Sequence, residues 1–172
     1  MAENRGMVHL YWGEGKGKTT AAVGLALRAL GSGLAVVMVQ FLKSGNSGEL
    51  EPLRRLGAAV FSGSGPVRFL RDMDENQRQE TRMRHDRMLS QALRLPCDVL
   101  ILDEACAAWE HGMVDESLLR RAVERSEKGC EVVLTGRRPA QWMLERGDYI
   151  TEMRLHAHPY TGGTAARKGI EF

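Results

Sequence analysis

Apolar positions in this chain follow two alternating spacings. Met7 to Trp12, Ala35 to Phe41, Asp98 to Leu102 and Glu131 to Thr135 are short apolar runs with few interruptions. Runs of this kind describe strands, and the most continuous of them a strand buried on both faces of a parallel sheet. Between them, apolar residues return every three or four positions, as on one face of a helix. Lys18 to Leu30 is the clearest case, with Ala22, Leu25, Ala26 and Ala29 inward and Gly31 and Gly33 as stop signals. Glu49 to Leu56 reads as a short helix with Pro52 in its first turn, and Ala58 to Phe61 as a brief strand. Asp115 is placed to cap a helix reaching Ser126, with Leu118, Leu119, Ala122 and Val123 inward and Gly129 beyond its end. Pro139 is placed to open a helix that ends near Gly147, and Tyr149 to Leu155 is the last strand. The alternation predicts an α/β fold with a mostly parallel sheet and helices on both faces.

Two stretches resist this pattern. Ser62 to Asp74, with Gly63, Gly65 and Pro66, has no period and reads as a loop. Asp74 to Leu95 is long and polar, with one sparse apolar stripe at Met88, Ala92 and Leu95. Its Arg78, Arg82, Arg84 and Arg87 describe a solvated face, with anion recognition as the alternative.

The chemistry concentrates where runs end. Trp12 to Thr20 reads W-G-E-G-K-G-K-T-T between the first strand and the first helix. Glycine backbones crowd an anion without a Cβ in the way, and a helix start supplies unpaired N–H groups and the positive dipole end. Gly13, Glu14, Gly15, Lys16, Gly17, Lys18, Thr19, Thr20 and Arg137 are the candidate nucleotide-binding residues. Lys18 would place a cation on the phosphates, and the Thr19 hydroxyl suits Mg²⁺. The common pattern G-x-x-x-x-G-K-[ST] places glycine where Trp12 stands, so the first turn of this loop is a variant. The strand Asp98 to Leu102 delivers Asp103 and Glu104 to the edge where open α/β sheets bind ligands. A metal role for the pair is favoured over a simple helix cap. Arg137 emerges on the same edge, to meet a phosphate or the acid pair, or to sit on the surface. His156 and His158 share a face if extended but have no third ligand at metal spacing, and Trp12, Trp109 and Trp142 read as core.

Composition narrows the class. With 172 residues the chain reads as one domain, 1–172. A net charge of +2 with signs mixed argues against a nucleic-acid or membrane footprint. Cys97, Cys106 and Cys130 form no C-x-x-C pair and fit free thiols in a reducing cytoplasm. Met1 to Gly6 is polar and does not read as a secretion signal, and Ala21 to Leu30 is too short for a membrane span.

Several segments, in order, resemble the ATP:corrinoid adenosyltransferases of the P-loop type. They are G-E-G-K-G-K-T-T-A-A, V-V-M-V-Q-F-L-K, L-I-L-D-E, V-V-L-T-G-R, D-Y-I-T-E-M, H-P-Y and the closing A-R-K-G-I-E-F. The resemblance spans nearly the whole chain except Ser62 to Leu95. It implies a three-layer P-loop NTPase-like (RecA-like) fold and an enzyme that moves the 5′-deoxyadenosyl group of MgATP onto Co(I) of a reduced corrinoid, releasing triphosphate. The corrinoid would be cob(I)alamin or a biosynthetic precursor. ATP in this family lies in a reversed sense along the loop. Lys18, Thr19 and Glu104 would then be catalytic, with Thr19, Glu104 and Asp103 the Mg²⁺ residues. The resemblance also implies a homodimer and an electron donor such as a reduced flavoprotein. The chain departs from the pattern at Trp12, where a small hydroxyl residue is usual, and at A-H-P-Y-T, Ala157 to Thr161, where K-H-P-Y-D is common. Phe69 is the candidate for an aromatic that displaces the cobalt's lower ligand. A small P-loop kinase or NTPase is the alternative from the loop alone, and a nucleotide-gated corrinoid carrier is a third reading.

Overall fold

A computed structural model of the chain describes residues 5–64, 70–157, 159, 163 and 165–170. Six strands form one sheet: β1 (Val8–Trp12), β2 (Val36–Gln40), β3 (Ala59–Ser62), β4 (Val99–Asp103), β5 (Glu131–Gly136) and β6 (Tyr149–Glu152). Their spatial order is β3-β2-β4-β5-β1-β6, and every pairing is parallel. Parallel pairing forces each connection to cross the sheet, so all six strands end at one edge. The expected α/β architecture is therefore present, and its strand bounds lie close to those the apolar runs predict.

The burial pattern explains why the middle strands read as continuous apolar runs. Every residue of β2 and β4 is buried, because helices cover both faces. One face packs Val37, Val39, Leu100, Leu102, Val132 and Leu134 against α3 (Glu75–Ala92) and α5 (Glu116–Val123). The other packs Met38, Ile101 and Val133 against Ala22, Ala26 and Ala29 of α1 (Lys18–Gly31). Small alanines let α1 lie close to the strands it crosses, and α2 (Leu50–Arg55) adds Leu50 and Leu53 to the same cluster. Leu25, read as inward, is only half-buried at the margin of that contact.

Several expectations need correction. Pro139 precedes α6 (Gln141–Arg146) instead of opening it, and Ala140 holds the N-cap place. The helix capped by Asp115 runs only to Val123, then tightens into a 3₁₀ turn over Glu124–Lys128 that ends at left-handed Gly129. The last strand stops at Glu152. A short helix α4 (Ala105–Glu110), the one the cap alternative for Asp103 and Glu104 implied, follows β4 directly. The polar stretch from Asp74 is one long helix, α3, started by a capping box between Asp74 and Gln77. Its buried face is Thr81, His85, Met88, Leu89 and Ala92, whereas Leu95 lies beyond the helix and exposed. Arg82 on α3 reaches Asp86 at 3.8 Å and Asp115 at 3.5 Å, so this arginine faces protein carboxylates. Trp142 is buried, as a core tryptophan should be, while Trp12 and Trp109 are half-buried at the margin. The three cysteines form no disulfide. Phe69 and His158 lie outside the described residues. No helix among the described residues is long and apolar enough to cross a membrane.

Candidate active site

The edge where the strands end gathers the predicted loop and acids. β1 runs into Gly13 and α1 starts at Lys18, with Gly17 in the left-handed N-cap place at φ 115°. Within α1 the N–H groups of Lys18, Thr19 and Thr20 have no partner in their own helix, because the first turn of a helix never does. Such donors at the positive dipole end can receive an anion.

Gly13 and Gly15 serve a different purpose from the one the sequence suggests. Their N–H groups donate to the carbonyls of Arg137 (3.2 Å) and Met153 (2.7 Å), so they are committed to the protein's own backbone. A Cβ at Gly13 would stand 2.5 Å from the Met153 carbonyl oxygen, and one at Gly15 would stand 2.7 Å from it. These two glycines let the chain leaving β6 press against the loop, and Gly17 supplies the positive φ. Gly15→Ala is accordingly expected to displace this packing and weaken MgATP binding at least about tenfold in a titration. Gly24→Ala, exposed on α1 with nothing within 4 Å of its Cβ, should instead stabilise the fold by about 0.5–1 kcal/mol in a thermal melt.

Lys18 folds back on the loop, its Nζ donating to the Gly15 carbonyl at 2.7 Å. Burial lowers its pKa, with the Arg137 cation adding to that and Glu104, Glu14 and Asp103 opposing it. A cation held under such desolvation gains from an incoming polyphosphate. Arg137 pairs with Glu14 at 2.9 Å, both at the solvent margin, so neither is committed to the buried acids. Lys16 lies exposed on the loop turn, and Thr20 borders the cavity described below.

Asp103 is the hub. It is fully buried, and its Oδ1 accepts from Thr19 (2.8 Å) and Thr135 (2.7 Å). Its Oδ2 accepts from Lys43 Nζ (2.8 Å) and Gln40 Nε2 (3.2 Å). Because the Thr19 hydroxyl spends its proton on Asp103, its lone pairs are left for a cation or for water. Gln40 also donates to Glu49 at 3.1 Å and accepts from Ser62 at 3.0 Å, which ties the ends of β2, β3 and β4 together.

Glu104 takes the N-cap place of α4, yet its side chain makes no capping bond and its φ is +59°. Its N–H donates to Thr135 Oγ1 at 2.9 Å, which holds the unfavourable left-handed turn. Burial raises the Glu104 pKa, Asp103 raises it further, and Lys43, Lys18 and Arg137 oppose. A raised carboxyl pKa means the folded state holds the proton more tightly than the unfolded chain. The stability it contributes is present at acid pH and is lost as pH rises through the raised value. Glu104→Gln is therefore expected to stabilise the ligand-free protein at neutral pH but not at pH 4, as read by melting temperature, while weakening Mg²⁺-dependent nucleotide binding.

The donor set suits a hard divalent cation: a hydroxyl with lone pairs outward and a carboxylate whose ionisation burial disfavours. No group of three or more His, Cys, Asp or Glu residues among the described residues is arranged to hold a metal by itself. Mg²⁺ does not require such a cluster, since it takes one or two protein oxygens and completes its shell from phosphate and water.

A cavity of about 750 Å³ opens beside the start of α1. It is bordered by Thr19, Thr20 and Val23, by Lys43 and Glu49 after β2, and by Ile170 near the chain's end. His156 is exposed in the segment after β6.

The sequence matches a known family. The family model for ATP:corrinoid adenosyltransferase BtuR/CobO/CobP matches residues 4–172. The chain belongs to this family. A corrinoid adenosyltransferase of Pseudomonas aeruginosa is 32% identical over 173 residues, covering 99% of this chain and 85% of that protein. Corrinoid adenosyltransferase CobA of Salmonella typhimurium is 31% identical over 176 residues, covering 99% of this chain and 87% of its own. Among solved structures, a KaiC-like protein from Pyrococcus horikoshii superposes with a TM-score of 0.51 at 16% identity, covering 90% of this chain and 75% of its own. That likeness concerns the fold, and it agrees with the RecA-like α/β architecture expected from the sequence.

The sequence reading missed Gln40, Lys43, Glu49 and Thr135 as parts of the site. Gln40 had a signal: a polar residue at the carboxyl end of an otherwise apolar strand must find partners at the ligand edge. Thr135 ends β5 in the same way. Lys43 carried no such signal, because its contact with Asp103 depends on the turn after β2.

Proposed function

We propose that the protein transfers the 5′-deoxyadenosyl group of ATP to the Co(I) centre of a reduced corrinoid. The observation that supports this best is the family match over residues 4–172, joined to a loop and acid hub suited to a magnesium polyphosphate. In this reading cobalt donates an electron pair to C5′ of the ribose. The cobalt–carbon bond forms, the C5′–O bond breaks, and its electron pair leaves on the triphosphate. Lys18 and the first-turn N–H groups of α1 stabilise that departing charge, a preorganised electrostatic contribution. Thr19 and Glu104 would hold Mg²⁺, with Asp103 behind Thr19; when bound, the ion adds positive charge at the phosphate oxygens. The cavity beside Thr19 and Lys43 is of a size that takes small-molecule groups. No general base is required, because reduced cobalt is itself the nucleophile.

Cob(I)alamin or a biosynthetic precursor is the proposed corrinoid, and an electron donor such as a reduced flavoprotein is the proposed source of Co(I). A cytoplasmic homodimer is proposed with them. Tyr149 and Ile150, exposed on edge strand β6, give self-association an apolar surface. The test mixes protein, MgATP and chemically reduced cobalamin, then follows the corrin's visible spectrum. A light-sensitive alkylcobalt spectrum is expected. Bound nucleotide with no such product would overturn the proposal.

A further inference from the structure

Lys43 reaches Asp103 because the chain turns sharply just before it. Leu42 stands at φ +54°, a left-handed conformation that a branched, non-glycine residue avoids. One side chain holds that turn. His85 of α3 is 1% exposed, and its Nε2 accepts from the Leu42 N–H at 3.2 Å. Its Nδ1 lies 2.8 Å from the Met113 carbonyl oxygen, in the connection between α4 and α5. A carbonyl only accepts, so Nδ1 carries the proton and Nε2 keeps the lone pair that Leu42 needs. Phe41 packs edge-on against the same ring at 5.4 Å between centroids. Burial lowers the His85 pKa to about 4, the Met113 bond opposing and Arg84 adding, which agrees with a neutral ring of this tautomer.

We infer that His85 is a positioning residue: through the Leu42 backbone it sets Lys43 on Asp103, and so orders the polyphosphate site from a distance. The chain of contact runs from the Met113 carbonyl through the imidazole to the Leu42 amide, then from Lys43 Nζ to Asp103 Oδ2 and across the carboxylate to Thr19. A buried histidine that served packing alone would not need an acceptor aimed at the N–H of a strained residue. The inference rests on the nucleotide-binding half of the proposed function.

Two conservative variants separate positioning from packing. His85→Gln places an amide oxygen near the Nε2 position, keeping an acceptor for Leu42. His85→Asn places an amide N–H near Nδ1, keeping the donor to Met113 and giving up the acceptor. In ligand-free protein, hydrogen exchange at the Leu42 amide should stay slow in His85→Gln and become fast in His85→Asn, with other core amides protected in both. MgATP affinity should fall about tenfold in His85→Asn, the scale of one lost contact to a charged group, and hold near the parent value in His85→Gln. In a Lys43→Ala background, His85→Asn should cause no further loss, because both act on one contact. Adding Leu42→Gly to His85→Asn should recover part of the affinity, since glycine adopts this turn without strain.

The reverse order of the two variants, a Leu42 amide still protected in His85→Asn, or losses that add in the Lys43→Ala background would each overturn the inference. Should neither histidine variant fold, the backbone amide of residue 42 in Leu42→Gly decides by exchange: slow exchange is expected if His85 holds this turn, and fast exchange overturns the inference. Because exchange is read without ligand, a parent protein that fails to bind MgATP sinks the proposed function and leaves this inference to the exchange data.

Discussion

Asp103→Ala should abolish activity and destabilise the fold by about 3–5 kcal/mol, the range for removing one partner of a buried ion pair. Asp103 is fully buried and accepts from Thr19, Thr135, Lys43 and Gln40. Alanine leaves all four donors facing a space that held a carboxylate, and the Lys43 cation, partly exposed, without its counter-charge. Asp103→Asn separates the two consequences. The amide keeps the volume and one accepting oxygen, but its N–H₂ must face either Lys43 or the threonine hydroxyls. A smaller loss of about 1–3 kcal/mol is expected, the scale of an unmet buried hydrogen bond. Activity should stay low in both variants, because Thr19 loses the carboxylate that takes its proton. Denaturant melts checked against adenosylation rates read the two effects; an Asp103→Ala chain as stable as the parent would contradict the hub.

Lys18→Ala should do the opposite: a large loss of rate with little change in stability. Burial lowers the Lys18 pKa, which sets lost hydration against the bond to the Gly15 carbonyl, so its removal is expected to change stability little. On the proposed mechanism the same cation faces, in the transition state, a leaving group gathering charge. Loss of one preorganised donor of that kind lowers rates by about 10²–10³-fold. Lys18→Arg is not expected to recover the rate, since a planar guanidinium does not fit where a compact ammonium folds back to within 2.7 Å of the Gly15 carbonyl. Steady-state rates on MgATP, with melting temperatures on the same preparations, distinguish this from a folding defect.

The pattern of apolar runs was enough for the parallel sheet, because β2 and β4 are buried on both faces and show it residue by residue. The loop, Lys18, Thr19, Asp103 and Glu104 were legible because their chemistry follows chain order across a strand end. The meaning of Gly13 and Gly15 was not. Their neighbour is Met153, far along the chain, and spacing cannot reveal a close approach between distant segments. Lys43 escaped for a related reason: its aim is set by Leu42 and His85, which lie 43 residues apart. The face of α3 was legible only in part: Met88 and Ala92 are buried as expected, but the helix also buries a histidine and a threonine that hydropathy counts as outward. Residues whose partners are remote are where pattern reading stops.

The claim at the centre of this account is that the bond broken lies between ribose carbon and oxygen, with the whole polyphosphate leaving. Phosphorus analysis of the products tests it most directly, with protein, MgATP and reduced cobalamin incubated together and the phosphates separated. Intact triphosphate, formed mole for mole with alkylated corrin, is the predicted result. ADP with inorganic phosphate, and an unaltered corrin, would contradict it.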